Sequence, residues 1–231
     1  MAVPIHPYLR PLRDVLAAHA DSDTAKGQSA YMKDKFGFFG IKMPQRRQIM
    51  RGFLKEHGRP GHDDIEAVVR SAWAQPQREF QYCGMELFTH EARTFPPAQL
   101  LLAEELILGK SWWDTVDHLA VHGVGKILYR FPGWIASTSR RYLESKELWL
   151  QRTALIFQLQ YGERTDRELL FATVRELAGH PDFFIRKAIG WALRQYAYTD
   201  RRAVQELMKD VKLSPLSVRE ALKHAERPDV A

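Results

Sequence analysis

Apolar side chains recur at three- and four-residue intervals along almost the whole chain, Pro and Gly punctuate the segments, and no stretch shows sustained two-residue alternation or an Asn-Gly hairpin signal. A helix brings residues i, i+3 and i+4 to one face, whereas a strand brings i and i+2. A chain patterned this way buries its apolar surface by packing helices, so the expectation is an all-α protein. Helix starts are expected at Pro44, Pro97, Asp166 and Ser214-Pro215, and stops at Gly58, Gly109, Gly162 and Gly179. Between these marks lie about a dozen predicted helices of roughly 10 to 17 residues.

A repeat shows through the pattern. Arg152-Thr-Ala-Leu-Ile-Phe157 matches Arg186-Lys-Ala-Ile-Gly-Trp191 in character at a shift of 34 residues. The large apolar residues Phe80, Trp113, Leu150 and Phe184 follow one another at intervals of 33, 37 and 34. That is the period of helix-pair solenoids, in which each pair buries its apolar face against the next and the stack curves into a concave surface. The alternative on this evidence is an irregular helical bundle.

At 231 residues with 45% hydrophobic content, the chain can build a sizeable core, and nothing in it requires a second domain, so residues 1–231 are taken as one. The apolar runs break before membrane-spanning length, and the N-terminus lacks the pattern of a secretory signal. A single cysteine, Cys83, cannot form an intramolecular disulfide, and the expected compartment is the reducing cytoplasm. The net charge of +6 permits an anionic partner without demanding one, and with no basic tail any such surface must be gathered by folding.

Within the run Lys110-Ser-Trp-Trp-Asp-Thr-Val-Asp117, helical spacing from Trp113 gathers Val116, Asp117, Ala120, Val124 and Ile127, so a carboxylate stands among hydrophobes. Ser111 with Asp114 three residues on reads as a capping-box variant, which accounts for Asp114 and leaves Asp117 unexplained. A carboxylate on a partly dehydrated face beside an indole can stabilise a positive centre in a ligand. It can equally be an acid paired with a neighbouring Arg or His inside the fold. His118 and His122, four apart on the same helix, have formal metal-ligand spacing, but no general-base Glu lies between them and no metal site is expected.

The helix expected from Asp182 to Tyr198 divides into a core stripe of Ile185, Ala188, Ile189, Ala192, Leu193 and Tyr196 and an opposite face of Lys187, Trp191, Arg194 and Tyr198. Aromatics with Lys and Arg are what a nucleic-acid backbone requires, cations for phosphates and flat rings for sugars or bases. The alternative for Trp191 is burial by a neighbouring repeat. Arg152, among Leu150, Ala154, Leu155 and Ile156, is either a buried ion-pair partner or a phosphate fork.

The blocks Ala30-Tyr-Met-Lys-Asp-Lys-Phe-Gly-Phe-Phe-Gly-Ile41, Lys110 to Asp117, Leu148-Trp-Leu-Gln-Arg-Thr-Ala-Leu-Ile-Phe-Gln-Leu159 and Phe183-Phe-Ile-Arg-Lys-Ala-Ile-Gly-Trp-Ala-Leu-Arg194 resemble the AlkD family of DNA alkylation repair glycosylases, in order and over nearly the whole chain. The resemblance implies a curved solenoid of HEAT-like helical repeats, with duplex DNA as partner. It implies removal of cationic N3- and N7-alkylated purines. No cofactor is expected, and the chain is expected to act as a monomer. By position it places the catalytic acid on Asp117, the indoles lining the lesion's sugar on Trp113 and Trp191, a DNA-contacting arginine on Arg152 and a tyrosine near the duplex on Tyr31. Lys187 and Arg194 join the DNA-binding set from the helix face above, and Trp112 is expected in the core. Gln160 is a neutral amide where some members carry Lys. A non-catalytic helical-repeat binding module is the rival from another class, because the scaffold alone implies no chemistry.

Overall fold

The computed structural model describes residues 3–61 and 63–223. Among these the regular structure is helical, and the only extended pairing is an isolated bridge between Gly37 and Gln77. The described chain groups into two compact units that divide between Arg93 and Thr94.

The first unit contains α1 (Arg10–Ala18), α2 (Ser22–Tyr31), α3 (Met43–His57), α4 (Ile65–Ala74) and α5 (Arg78–Glu91). α1 packs on α3 and α4 on α5. Pro44 lies in the first turn of α3 and Gly58 ends it at φ 71, both where the sequence put them. The loop Phe36–Ile41 is fixed by two fully buried charged residues of α5. The Glu79 carboxylate accepts backbone N–H groups from Phe39, Gly40 and Ile41 at 3.0, 3.0 and 3.2 Å. The Arg78 guanidinium lies 3.8 Å from the centre of the Phe36 ring. Three N–H donors on one carboxylate compensate its desolvation. Gly40 adopts φ +91, and a Cβ there would lie 2.0 Å from the Asp21 carbonyl oxygen, so the loop closes only on glycine.

The second unit contains α6 (Leu100–Leu108), α7 (Trp113–Leu119), α8 (Gly125–Arg130), α9 (Ile135–Glu144), α10 (Leu148–Ile156), α11 (Arg167–Leu177), α12 (Phe183–Tyr196), α13 (Arg201–Asp210) and α14 (Pro215–Leu222). A π-helical turn, Ala120–Val124, joins α7 to α8 without a break. The helices are shorter than the sequence pattern suggests, running from six residues in α8 to 15 in α3. Proline-led 3-10 turns and the π turn interrupt segments whose apolar spacing continues across them. Phe80, Trp113, Leu150 and Phe184 each fall in the first turn of their helix, α5, α7, α10 and α12.

α10 is the hub of the second unit. It contacts α6, α7, α9, α11 and α12, and every residue from Leu150 to Phe157 is buried, as expected for a helix that is apolar almost all round. α12 buries all six residues of its predicted core stripe, chiefly against α10 and α14. Gly190 permits the α12–α14 crossing, since a Cβ there would lie 2.5 Å from both the Ser217 carbonyl oxygen and the Glu220 Cβ.

Candidate active site

Asp117 lies in the last turns of α7, one helical turn after Trp113, which opens that helix. Its carboxylate receives Arg152 of α10 by both oxygens: Nε donates to Oδ1 at 2.6 Å and Nη2 to Oδ2 at 2.7 Å. The third arm of the guanidinium, Nη1, donates to the Phe184 carbonyl oxygen at 2.6 Å, in the first turn of α12. Arg152 therefore ties α7, α10 and α12 together through one planar group, which only a forked side chain can do. The two partners differ in exposure: the Arg152 side chain is 4% exposed and the Asp117 side chain 18%. The acid thus keeps an open edge while its orientation is fixed from behind. Of the two sequence readings left open for Arg152, its immediate partners are those of the ion pair.

Aromatic rings pack on this clamp. Trp112, Trp149 and Phe184 form a triangle with ring centroids 5.0 to 6.0 Å apart. The Arg152 guanidinium lies 5.9 Å from the Phe184 ring centroid. Trp112 is half-buried in this cluster, and so is Trp113 beside it in sequence. Sequence reasoning marked Phe184 only as a repeat position and did not single out Trp149. The signal for both was a bulky aromatic at the start of a helix that the repeat places next to Asp117.

Trp191 is half-buried on α12, two turns beyond Phe184 on the same face, or about 10 Å along the axis at the usual helical rise. Lys187 is exposed, with its Nζ 5.7 Å from the Phe183 ring centre. Arg194 is half-buried, and its Nη1 donates to the Glu220 carbonyl oxygen at 2.8 Å and pairs with Glu220 Oε2 at 3.2 Å. Tyr31 belongs to the first unit and is 67% exposed. Gln160 is exposed beyond the end of α10.

One local expectation differs from the structure. Ser111 does not cap α7; its hydroxyl donates backward to the Ile107 and Leu108 carbonyl oxygens, closing the end of α6. Trp112 occupies the N-cap position with extended backbone and no side-chain cap, and Asp114 sits in the first turn, where its charge opposes the helix dipole. The chain can turn here because Lys110, rather than Gly109, adopts the left-handed conformation at φ 50. His118 and His122 pack with ring centroids 4.5 Å apart and planes tilted by 46°, and burial together with Lys126 lowers the His122 pKa below its ordinary value. Among the described residues no group of three or more His, Cys, Asp or Glu side chains is gathered as metal ligands would be, and no helix is long and apolar enough to cross a membrane.

The sequence finds no match among curated proteins. Among solved structures, a "Predicted DNA alkylation repair enzyme from Enterococcus faecalis" superposes with a TM-score of 0.83 at 31% identity, covering 90% of this chain and 98% of that one. AlkD2 from Streptococcus mutans superposes with a TM-score of 0.62 at 15% identity, covering 88% of this chain and 100% of that one, a likeness of fold. These likenesses carry the all-α helical-repeat architecture expected from the sequence. The family model described as DNA alkylation repair enzyme matches residues 12–225, and the chain belongs to that family of DNA repair enzymes.

Proposed function

We propose that this enzyme is a monofunctional DNA glycosylase that hydrolyses the N-glycosidic bond of cationic N3- and N7-alkylated purines in duplex DNA, with Asp117 as the acid that faces the reacting sugar. The observation that carries the proposal is the clamped carboxylate: Asp117 is held by both oxygens at 2.6 and 2.7 Å, yet its side chain keeps 18% exposure. A preorganised charge in a mostly dehydrated setting stabilises developing opposite charge without having to reorganise during reaction.

Alkylation at N3 or N7 makes the purine a cation, so it leaves neutral when the bond from C1′ to nitrogen breaks. Neither protonation of the base nor a covalent enzyme intermediate is then required. Positive charge passes to the deoxyribose, and water adds to C1′ as its proton is lost, giving an abasic site and the free base. Asp117 counters the charge on the sugar and orients the water. Trp113 and Trp191 offer electron-rich ring faces to the same cation. Arg152 is a positioning residue that fixes the carboxylate, and the contact with DNA that the family resemblance implies for it is the competing role. Lys187 and Tyr31, both exposed, supply backbone contacts, and Arg194 does so through donors other than the one Glu220 holds.

The burial of Arg152 with bonds on three of its nitrogens favours one competing view, in which the pair is purely structural and the protein binds DNA without cleaving it. Product analysis separates the two. A duplex with one 7-methylguanine should yield the free base and an intact strand carrying an abasic site. Strand cleavage with borohydride-trappable protein would instead indicate an amine nucleophile, with Lys187 the first residue to replace. No release at all would leave the binding module.

A further inference from the structure

The three helices that Arg152 joins are joined a second time, by rings. Trp112 stands at the N-cap of α7, the helix that carries Asp117. Trp149 lies in the first turn of α10, three residues before Arg152. Phe184 lies in the first turn of α12 and lends its carbonyl oxygen to Arg152 Nη1 at 2.6 Å. The ring centroids are 6.0 Å apart for Trp112 and Trp149, 5.2 Å for Trp112 and Phe184 and 5.0 Å for Trp149 and Phe184, with planes inclined at 65°, 70° and 46°. Contact of a ring edge with a ring face fixes the angle between two groups as well as their separation, which an aliphatic side chain does not. All three rings are half-buried, whereas Leu150 to Phe157 of α10 are buried throughout. The triangle therefore lies at the rim of the core, with the Phe184 ring centre 5.9 Å from the Arg152 guanidinium.

From this arrangement we infer that Trp149 and Phe184 are positioning residues for the Asp117 carboxylate. They set the angle at which α7, α10 and α12 meet, and with it the alignment of the forked bond between Arg152 and Asp117. A guanidinium engages both oxygens of a carboxylate only when the two planar groups face each other in register. At 2.6 and 2.7 Å the two bonds leave little slack. A tilt of α12 displaces the Phe184 carbonyl oxygen, Nη1 follows it, and the rigid guanidinium plane turns so that Nε and Nη2 leave Oδ1 and Oδ2. A carboxylate freed from the fork rotates its exposed edge away from the sugar, and misplacing a reacting group by about 1 Å costs on the order of 10² in rate. The consequence for rate rests on the glycosylase reading, whereas the alignment of the carboxylate does not.

Arg152 supplies a probe that needs no substrate. In the full-length protein with isotope-labelled arginine, NMR follows the Arg152 Nε–H, which should exchange slowly with solvent because it is bonded at 2.6 Å on a side chain only 4% exposed. Phe184→Leu and Trp149→Leu keep apolar bulk and the Phe184 backbone carbonyl. Each should speed that exchange about tenfold or more, while the backbone amides of α10 keep their wild-type protection. The milder Trp149→Phe, which shortens the ring without removing it, should fall between, and it carries the test should a leucine variant not fold. In single-turnover release of 7-methylguanine the leucine variants should be slower by roughly ten- to a hundredfold with duplex affinity unchanged. They should add nothing to the loss in Asp117→Asn, since they act only through the carboxylate. A wild type that releases no base, with Nε–H exchange still accelerated in the variants, would sink the glycosylase reading and leave the positioning role standing. An Nε–H that none of the variants changes, α10 amides that lose protection in step with it, or a rate loss of full size in the Asp117→Asn background would each overturn the positioning role.

Discussion

Replacing Arg152 with Ala gives the sharpest view of what the clamp does. The substitution removes three hydrogen bonds of 2.6 to 2.7 Å and the charge that faces Asp117, and it leaves a void in the hub helix α10. Breaking a buried pair by deleting one partner costs about 3 to 5 kcal/mol. Because the Asp117 side chain is 18% exposed, water can hydrate the abandoned carboxylate, and the lower end, about 3 kcal/mol, is the working figure. For a chain of this size each kcal/mol shifts Tm by roughly 2 to 4 °C, so calorimetry should record a fall of about 6 to 12 °C. Asp117→Ala alone should also destabilise, by stranding the guanidinium. The double variant should cost less than the two added together, with a coupling of at least about 1 kcal/mol. The competing role for Arg152 is a phosphate contact. If Arg152→Ala melts within about 2 °C of wild type while binding to damaged and undamaged duplexes weakens alike and the salt slope flattens, the positioning argument is refuted.

Other expectations test separate parts of the structure. Trp113→Ala and Trp191→Ala should each slow excision of a cationic lesion by an amount equivalent to about 0.5 to 2 kcal/mol, measured under single-turnover conditions, and a fall in Tm without loss of rate would place the ring in the core instead. Gly190→Ala should destabilise the second unit by about 1 to 3 kcal/mol in urea unfolding, because the new methyl meets the backbone carbonyl of Ser217, which no rotamer change can relieve; wild-type stability would show that the helices separate at no cost. His122 has a folded pKa below its ordinary 6.5, so the unfolded chain binds the proton more readily. Its contribution is complete above that value and is lost as pH falls below it through the folded pKa; urea midpoints should decline over that range, and less steeply in His122→Gln.

The parts of this molecule legible in its sequence were those written in local spacing. The core stripe of α12, the proline in the first turn of α3 and the ends at Gly58 and Gly109 depend on residues within a few positions of each other. Ser111 was misread because capping and back-bonding to the preceding helix demand the same residue type, and only the left-handed turn at Lys110 decides between them. Helix lengths were overestimated because the apolar pattern from Trp113 to Arg130 runs straight through a π turn. Asp117 stood out as an anomaly, but its partner lies 35 residues away on another helix, and no spacing rule reaches that far. The same holds for Glu220, which engages Arg194 from α14 across 26 residues.

The central claim is that the open edge of the Asp117 carboxylate does the chemistry, and it is tested most directly by single-turnover release of the base from a duplex holding one 7-methylguanine, wild type against Asp117→Asn. The amide keeps the shape of the acid and removes the charge, and loss of one such electrostatic stabiliser should lower the rate by about 10² to 10³. Duplex affinity should be nearly unchanged. Equal rates for the two proteins, or no base released by the wild type, would contradict the account.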